Sequence, residues 1–295
     1  MHHKEGLGTI GTEAYAILSQ FFEYDRNLPL DANTYDREEH EVSYRLKIVF
    51  RGARDGRVPG YLAIPAAMSP PYPVVLLLHG LGSSKEDWWT ETTDEECLAR
   101  ELLSAGYAVC ALDIPFHGER THHSDYESAW SVIAVRGQIN RYREMLVESV
   151  LEHRRAIDYL ATRPDIDSAR IGIFGRSIGG LVTYILTATD PRIKAAIAAS
   201  TLPMGDFYVD CLGWDKSAID RLAPVSPQNF APEIKQAAFL LLNGTDDPYG
   251  TVEDIRSLYE LVGSPSKELV FFDSDHRLPS EFVPKAVEWF LQHLV

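Results

Sequence analysis

The run Ile171-Gly172-Ile173-Phe174-Gly175-Arg176-Ser177-Ile178-Gly179-Gly180 constrains this chain more than any other segment. Its first half is apolar and β-branched, as a buried strand requires, and Leu181 to Leu186 continues with the composition of a packed helix. A Gly-x-Ser-x-Gly turn joins the two. Such a turn brings backbone segments too close for a Cβ at Gly175 and Gly179, and it lifts the Ser177 hydroxyl above the strand ends. The spacing therefore predicts a nucleophile elbow: a buried strand, an accessible serine, and a helix behind it.

Two downstream strands end in residues that could serve that serine. Ala237 to Leu242 is a buried-strand run followed by Asn243-Gly244-Thr245-Asp246-Asp247-Pro248, a turn with two carboxylates. Glu268 to Phe272 is the next, followed by Asp273-Ser274-Asp275-His276. A serine hydroxyl is a poor nucleophile at neutral pH and needs a base within hydrogen-bond reach. His276 is the candidate base, with a carboxylate to fix its tautomer and stabilise the imidazolium. A closing helix from Phe282 to Leu294 puts Phe282, Ala286, Trp289, Phe290 and Leu294 on one face.

With strand, Gly-x-Ser-x-Gly, acid and histidine in this order, the chain resembles the α/β-hydrolase family from about Glu41 to Val295. Val74 to Gly82, with His79-Gly80-Leu81, is similar to the family's third strand and oxyanion loop. Ala108 to Arg120, with Asp113-Ile114-Pro115-Phe116-His117-Gly118, is similar to its fourth strand and the segment behind it. Asp158 to Asp167 is most similar to the dienelactone-hydrolase, acetyl-xylan-esterase and prolyl-oligopeptidase-like branches. The resemblance implies an α/β-hydrolase fold, with a mostly parallel central sheet, helices on both faces and a small cap over the C-terminal strand ends. It also implies a serine hydrolase that cleaves carboxylic esters through an acyl-enzyme, using Ser177, His276 and an aspartate, with a small-molecule ester as substrate and no cofactor. In related hydrolases the acid stands three residues after the glycine ending its strand, which selects Asp247. Asp246 is its rival, and Asp206 occupies the place some lipases use. The backbone amides of Leu81 and Ile178 are placed to hold the oxyanion.

The resemblance to prolyl-oligopeptidase-like chains leaves an amidase or peptidase open. Those peptidases commonly carry a large propeller domain, which the roughly forty residues before the hydrolase region cannot build, so esters are favoured. A fold kept for binding alone would have lost a triad member, and none is lost.

Insertions at about 121–140 and 201–235 are too long for minimal connections and should roof the site. Their aromatics include Tyr126, Trp130, Phe207, Tyr208 and Trp214. Trp88, Phe116, Arg176, Phe207 and Trp214 are the candidate substrate-binding residues, and the short roof favours a short acyl group. Core packing is the competing role for each aromatic, and pairing with a carboxylate is the competing role for Arg176. His79 reads as a structural residue of its loop, and the resemblance puts His117 in a loop that shapes the pocket wall, without a catalytic role beside His276.

Composition excludes several alternatives. A net charge of −15 over 295 residues opposes nucleic acid and anionic membranes. Gly6-Leu7-Gly8-Thr9-Ile10-Gly11 spells a dinucleotide fingerprint, but no strand precedes it to deliver a pyrophosphate to a helix. His2-His3 and His122-His123 lack further ligands at metal-site spacing, so no metal is expected. Cys97, Cys110 and Cys211 form no paired framework, and no signal-peptide core or membrane span is visible, which points to the cytoplasm. Residues 1–40 read as an arm with an amphipathic helix from Thr12 to Tyr24 and a polar segment. The arm would pack on the hydrolase body, residues 41–295, or on a second subunit, which admits a homodimer.

Overall fold

Short apolar runs alternate with amphipathic stretches along this chain, and buried strands roofed by helices are the result. A computed structural model describes residues 9–66, 68–90, 94–125, 127–205 and 212–295. Its strands are β1 (Asn33–Glu39), β2 (Ser43–Arg51), β3 (Arg57–Pro65), β4 (Tyr72–Leu78), β5 (Ala108–Leu112), β6 (Ile166–Arg176), β7 (Ile193–Ala199), β8 (Ala238–Gly244) and β9 (Lys267–Phe272). They form one sheet in the order β1-β2-β3-β5-β4-β6-β7-β8-β9. The pairings from β1 to β5 through β3 are antiparallel, and those linking β5, β4, β6, β7, β8 and β9 are parallel.

The helices are α1 (Thr12–Ser19), α2 (Asp94–Ser104), α3 (Ile139–Ala161), α4 (Ile178–Thr189), α5 (Lys216–Leu222), α6 (Val252–Leu261) and α7 (Phe282–His293). Side chains alternate across each buried strand and so feed two cores. Val74, Leu76 and Leu78 point into the core containing α3, α4 and α6. Val75 and Leu77 point into the core with α2 and α7, which holds Phe282, Ala286, Trp289, Phe290 and Leu294 together. This is the α/β-hydrolase fold, with every parallel strand opening its C-terminal end on the same edge.

The N-terminal segment is tied to the body of its own chain. Phe22 is fully buried, and its ring meets Phe230 edge-on at 5.5 Å. Arg155 donates to the carbonyls of Leu28 and Pro29, and the Tyr24 hydroxyl donates to Asp158 at 2.7 Å. The helix is shorter than the sequence predicts, ending at Ser19 before a 3-10 turn over Gln20–Phe22. The polar segment after it contains β1, which pairs antiparallel with β2. All seven β1 residues are exposed, so no buried face marks the strand in the sequence. Its Arg, Glu and Asp side chains suit an edge that must not pair with a second sheet.

Candidate active site

The site is assembled at the C-terminal ends of β4, β6, β7 and β8 and in the loop after β9. Ser177, between β6 and α4, has φ 56° and ψ −116°, a conformation non-glycine residues rarely adopt. Close packing enforces it. A Cβ on Gly179 would stand 2.8 Å from the His79 carbonyl oxygen, and one on Gly175 would overlap the Gly179 carbonyl. The Ser177 amide donates to the Ala199 carbonyl at 2.9 Å, which locks the elbow to β7.

The acid and the histidine are brought together by a second close approach. Beyond β8 and β9, the Asp246 amide donates to the Ser274 carbonyl at 3.0 Å, and the Thr245 amide to the Phe272 carbonyl at 2.9 Å. Asp247 Oδ2 then lies 2.8 Å from His276 Nδ1, and His276 Nε2 lies 3.1 Å from Ser177 Oγ. The Asp247 side chain is fully buried, and its other oxygen accepts from the Tyr249 amide at 3.0 Å. With Nδ1–H donating to the carboxylate, Nε2 presents its lone pair to the serine hydroxyl. Asp246 is exposed and Asp206 lies outside the described residues. The Tyr249 ring meets the imidazole edge-on at 4.6 Å and helps hold its plane.

The loop after β4 passes beside the serine, since a Cβ on Gly80 would come within 3.5 Å of Ser177 Cβ. Ile178 opens α4, and the first amides of a helix have no intrahelical acceptor. Leu81 and Ile178 both line the cavity above Ser177. Two buried histidines hold this loop. His79 Nδ1 donates to the Gly80 carbonyl at 2.9 Å, and its Nε2 accepts from the Ile114 amide at 3.0 Å. His117 Nδ1 donates to the Pro115 carbonyl at 3.0 Å, and its Nε2 accepts from the Gly82 amide at 3.2 Å. Both rings must be neutral to accept. Burial, reinforced by the neighbouring His117, pushes His79 down to about 3, and burial also lowers His117.

The loop's far end is pinned by charge. Lys85 Nζ donates to Asp113 at 2.7 Å and to Glu119 at 2.6 Å. Burial opposes the ammonium, but the Asp113 and Glu119 carboxylates override it and raise the Lys85 pKa.

A cavity of about 140 Å³ opens over Ser177, walled by Trp130, Ile133, Tyr142, Leu181, Leu212 and Trp214. Of the aromatics and the arginine expected from sequence to meet substrate, Trp214 lines it. Trp88 does not. It is fully buried in the other core with its ring edge-on to Phe174 at 5.9 Å, because the 3-10 helix Lys85–Trp89 turns it inward. Phe116, at φ 71°, and the half-buried Arg176 at the end of β6 also lie outside the lining, and Phe207 is outside the described residues. Tyr142, Tyr249 and Ser200 line the cavity without a sequence signal beyond their proximity to α3, Asp247 and β7. Among the described residues, no group of three or more His, Cys, Asp or Glu side chains could hold a metal, and no helix is long and apolar enough to cross a membrane.

This fold and site place the chain among the α/β-hydrolases. The chain belongs to the acetyl xylan esterase family, whose model matches residues 17–207. The prolyl oligopeptidase family model also matches, over residues 141–294, the part carrying Ser177, Asp247 and His276. Among curated proteins, Putative hydrolase YtaP of Bacillus subtilis is 27% identical over 175 residues, covering 57% of this chain and 56% of YtaP. A protein of Methylorubrum extorquens named Putative carboxymethylenebutenolidase is 24% identical over 234 residues, covering 78% of this chain and 71% of its own. The structure of acetyl xylan esterase 1 from Thermoanaerobacterium sp. shares the fold with a TM-score of 0.75 at 16% identity, over 97% of this chain and 95% of that one.

Proposed function

We propose that this chain is a serine esterase for small, short-acyl substrates, with Ser177 as nucleophile, His276 as base and Asp247 as the acid that orients it. The contact chain from Asp247 Oδ2 through His276 to Ser177 Oγ carries the reading, at 2.8 and 3.1 Å. His276 takes the serine proton as Oγ attacks the carbonyl carbon. The oxyanion is held by the amides of Leu81 and Ile178. His276 returns the proton to the leaving alcohol, then removes one from the water that releases the acid and restores Ser177.

The cavity supports the short-acyl preference. At about 140 Å³ it is close to the roughly 150 Å³ apolar cavity that accepts benzene. That space suits a small ester, with a short acyl group and a small alcohol together, and not an extended lipid chain. Acetyl esters, the substrates in the family's name, are the first choice. Cys110 is buried and Cys97 half-buried, both as free thiols, in keeping with a reducing cytoplasm as the place of action.

The match to the prolyl oligopeptidase family favours one second reading, in which the same residues cleave amides. Hydrolysis of p-nitrophenyl acetate, butyrate and octanoate, beside a peptidyl p-nitroanilide, separates the two. The esterase reading expects rates that fall with acyl length, little anilide cleavage, and loss of all activity in Ser177→Ala. Faster anilide than acetate turnover would reverse the assignment.

A further inference from the structure

A second serine stands in the same cavity as Ser177. Ser200 follows the last residue of β7, is 1% exposed, and lines the cavity with Ser177 and His276. Its Oγ has no hydrogen-bond partner among the described residues. Its backbone is held at φ 49° while its amide donates to the Leu242 carbonyl at 2.7 Å. Left-handed backbone is disfavoured for serine, and an unmade bond on a buried hydroxyl is disfavoured as well. Among the described non-glycine residues, positive φ occurs at Asp31, Asp55 and Asp125, at Phe116, and at these two serines. Aspartate tolerates that region. Ser177 and Ser200 therefore share an unusual conformation at the ends of adjacent strands, and such strain concentrates at functional sites.

The sheet order says which part of a substrate Ser200 would meet. The loop carrying Gly80 and Leu81 follows β4, on one side of β6. Strands β7, β8 and β9 lie on the other side and lead to Ser200, Asp247 and His276. If His276 protonates the leaving alcohol, that alcohol lies on the β7 side of Ser177, where Ser200 stands. A hydroxyl can both donate and accept. Apart from His276, no titrating acid or base of the ordinary charged types lines the cavity among the described residues, so a neutral partner fits better than an ion.

We infer that Ser200 is a specificity-determining residue, whose hydroxyl bonds a second hydroxyl carried by the leaving alcohol beside the ester oxygen. The inference rests on the serine-esterase reading above. Its test compares kcat/KM for propyl acetate and 2-hydroxyethyl acetate, which differ by a methyl against a hydroxyl at the same place. Each protein supplies its own ratio, so a general loss of activity cancels. The wild-type enzyme should favour the hydroxylated ester, and Ser200→Gly, which accepts positive φ, should lower that preference about 3- to 10-fold. Ser200→Thr, which keeps the hydroxyl, should retain more of it. An unchanged ratio in Ser200→Gly, or a wild-type enzyme that takes neither ester while hydrolysing p-nitrophenyl acetate, would overturn the inference. A wild-type enzyme inert toward p-nitrophenyl acetate as well would overturn the esterase reading beneath it.

Discussion

Gly244 packs against Asp275 so closely that a Cβ on the glycine would overlap the aspartate's carbonyl oxygen, and that of Ser274 beside it. The turn carrying Asp247 and the loop carrying His276 are thereby set at one separation. Substituting Gly244→Ala must push the two loops apart while leaving the Asp247 and His276 side chains chemically unaltered. A misplacement of about 1 Å can cost on the order of 10²-fold in rate. Gly244→Ala should accordingly lose about that much kcat with a retained circular dichroism spectrum; wild-type kcat would show that the contact does not set the geometry.

The two neighbouring aspartates should behave differently. Asp247 is buried on the imidazole and Asp246 is exposed, so Asp247→Asn should drop kcat by about 10⁴-fold while Asp246→Asn stays within a few-fold. Steady-state kinetics of the two variants decide it, and the opposite ranking would move the acid to Asp246.

Acid should destabilise the fold ahead of general carboxylate protonation. Burial holds His79 down to about 3 and His153 down to about 4, and lowers His117, so the unfolded chain binds these protons first as pH falls below about 6.5. Buried Glu152 works the other way, since burial raises it to about 7 and the folded state gains its proton first. Three histidines outweigh one glutamate, so unfolding free energy should fall from pH 7 to pH 5, by on the order of 1 kcal/mol per pH unit for each net proton. Urea melts across that range measure it, and a flat or rising profile would contradict the buried neutral histidines.

Trp214 should limit acyl size. Its ring walls the cavity and meets Tyr142 edge-on at 5.9 Å. Trp214→Ala should raise the octanoate-to-acetate ratio of kcat/KM about tenfold. An unchanged ratio would place the acyl group elsewhere.

Much of this arrangement could be read from residue order. Ser177, Asp247 and His276 each follow a strongly apolar strand, and in a parallel sheet such positions share one edge. The parts that escaped sequence reasoning have local causes. Strand β1 has no apolar alternation, because as an exposed edge it buries no side chain. Trp88 reads as a pocket aromatic by its distance from Gly80, yet the short helix after the loop rotates it into the core. Ser200 belongs to no motif. What distinguishes it is its φ and its unpartnered hydroxyl, which exist only once β7 and β8 are paired.

The central claim is that substrate is carried on Ser177. Wild-type protein mixed with p-nitrophenyl acetate, quenched in acid within the first turnovers and mapped by peptide mass spectrometry, tests it most directly. An acetyl group on the peptide containing Ser177, absent from His276→Ala under the same quench, is the predicted result. Rapid turnover with no acylated Ser177 at any quench time, or an adduct on another residue that kinetics show to be competent, would contradict it.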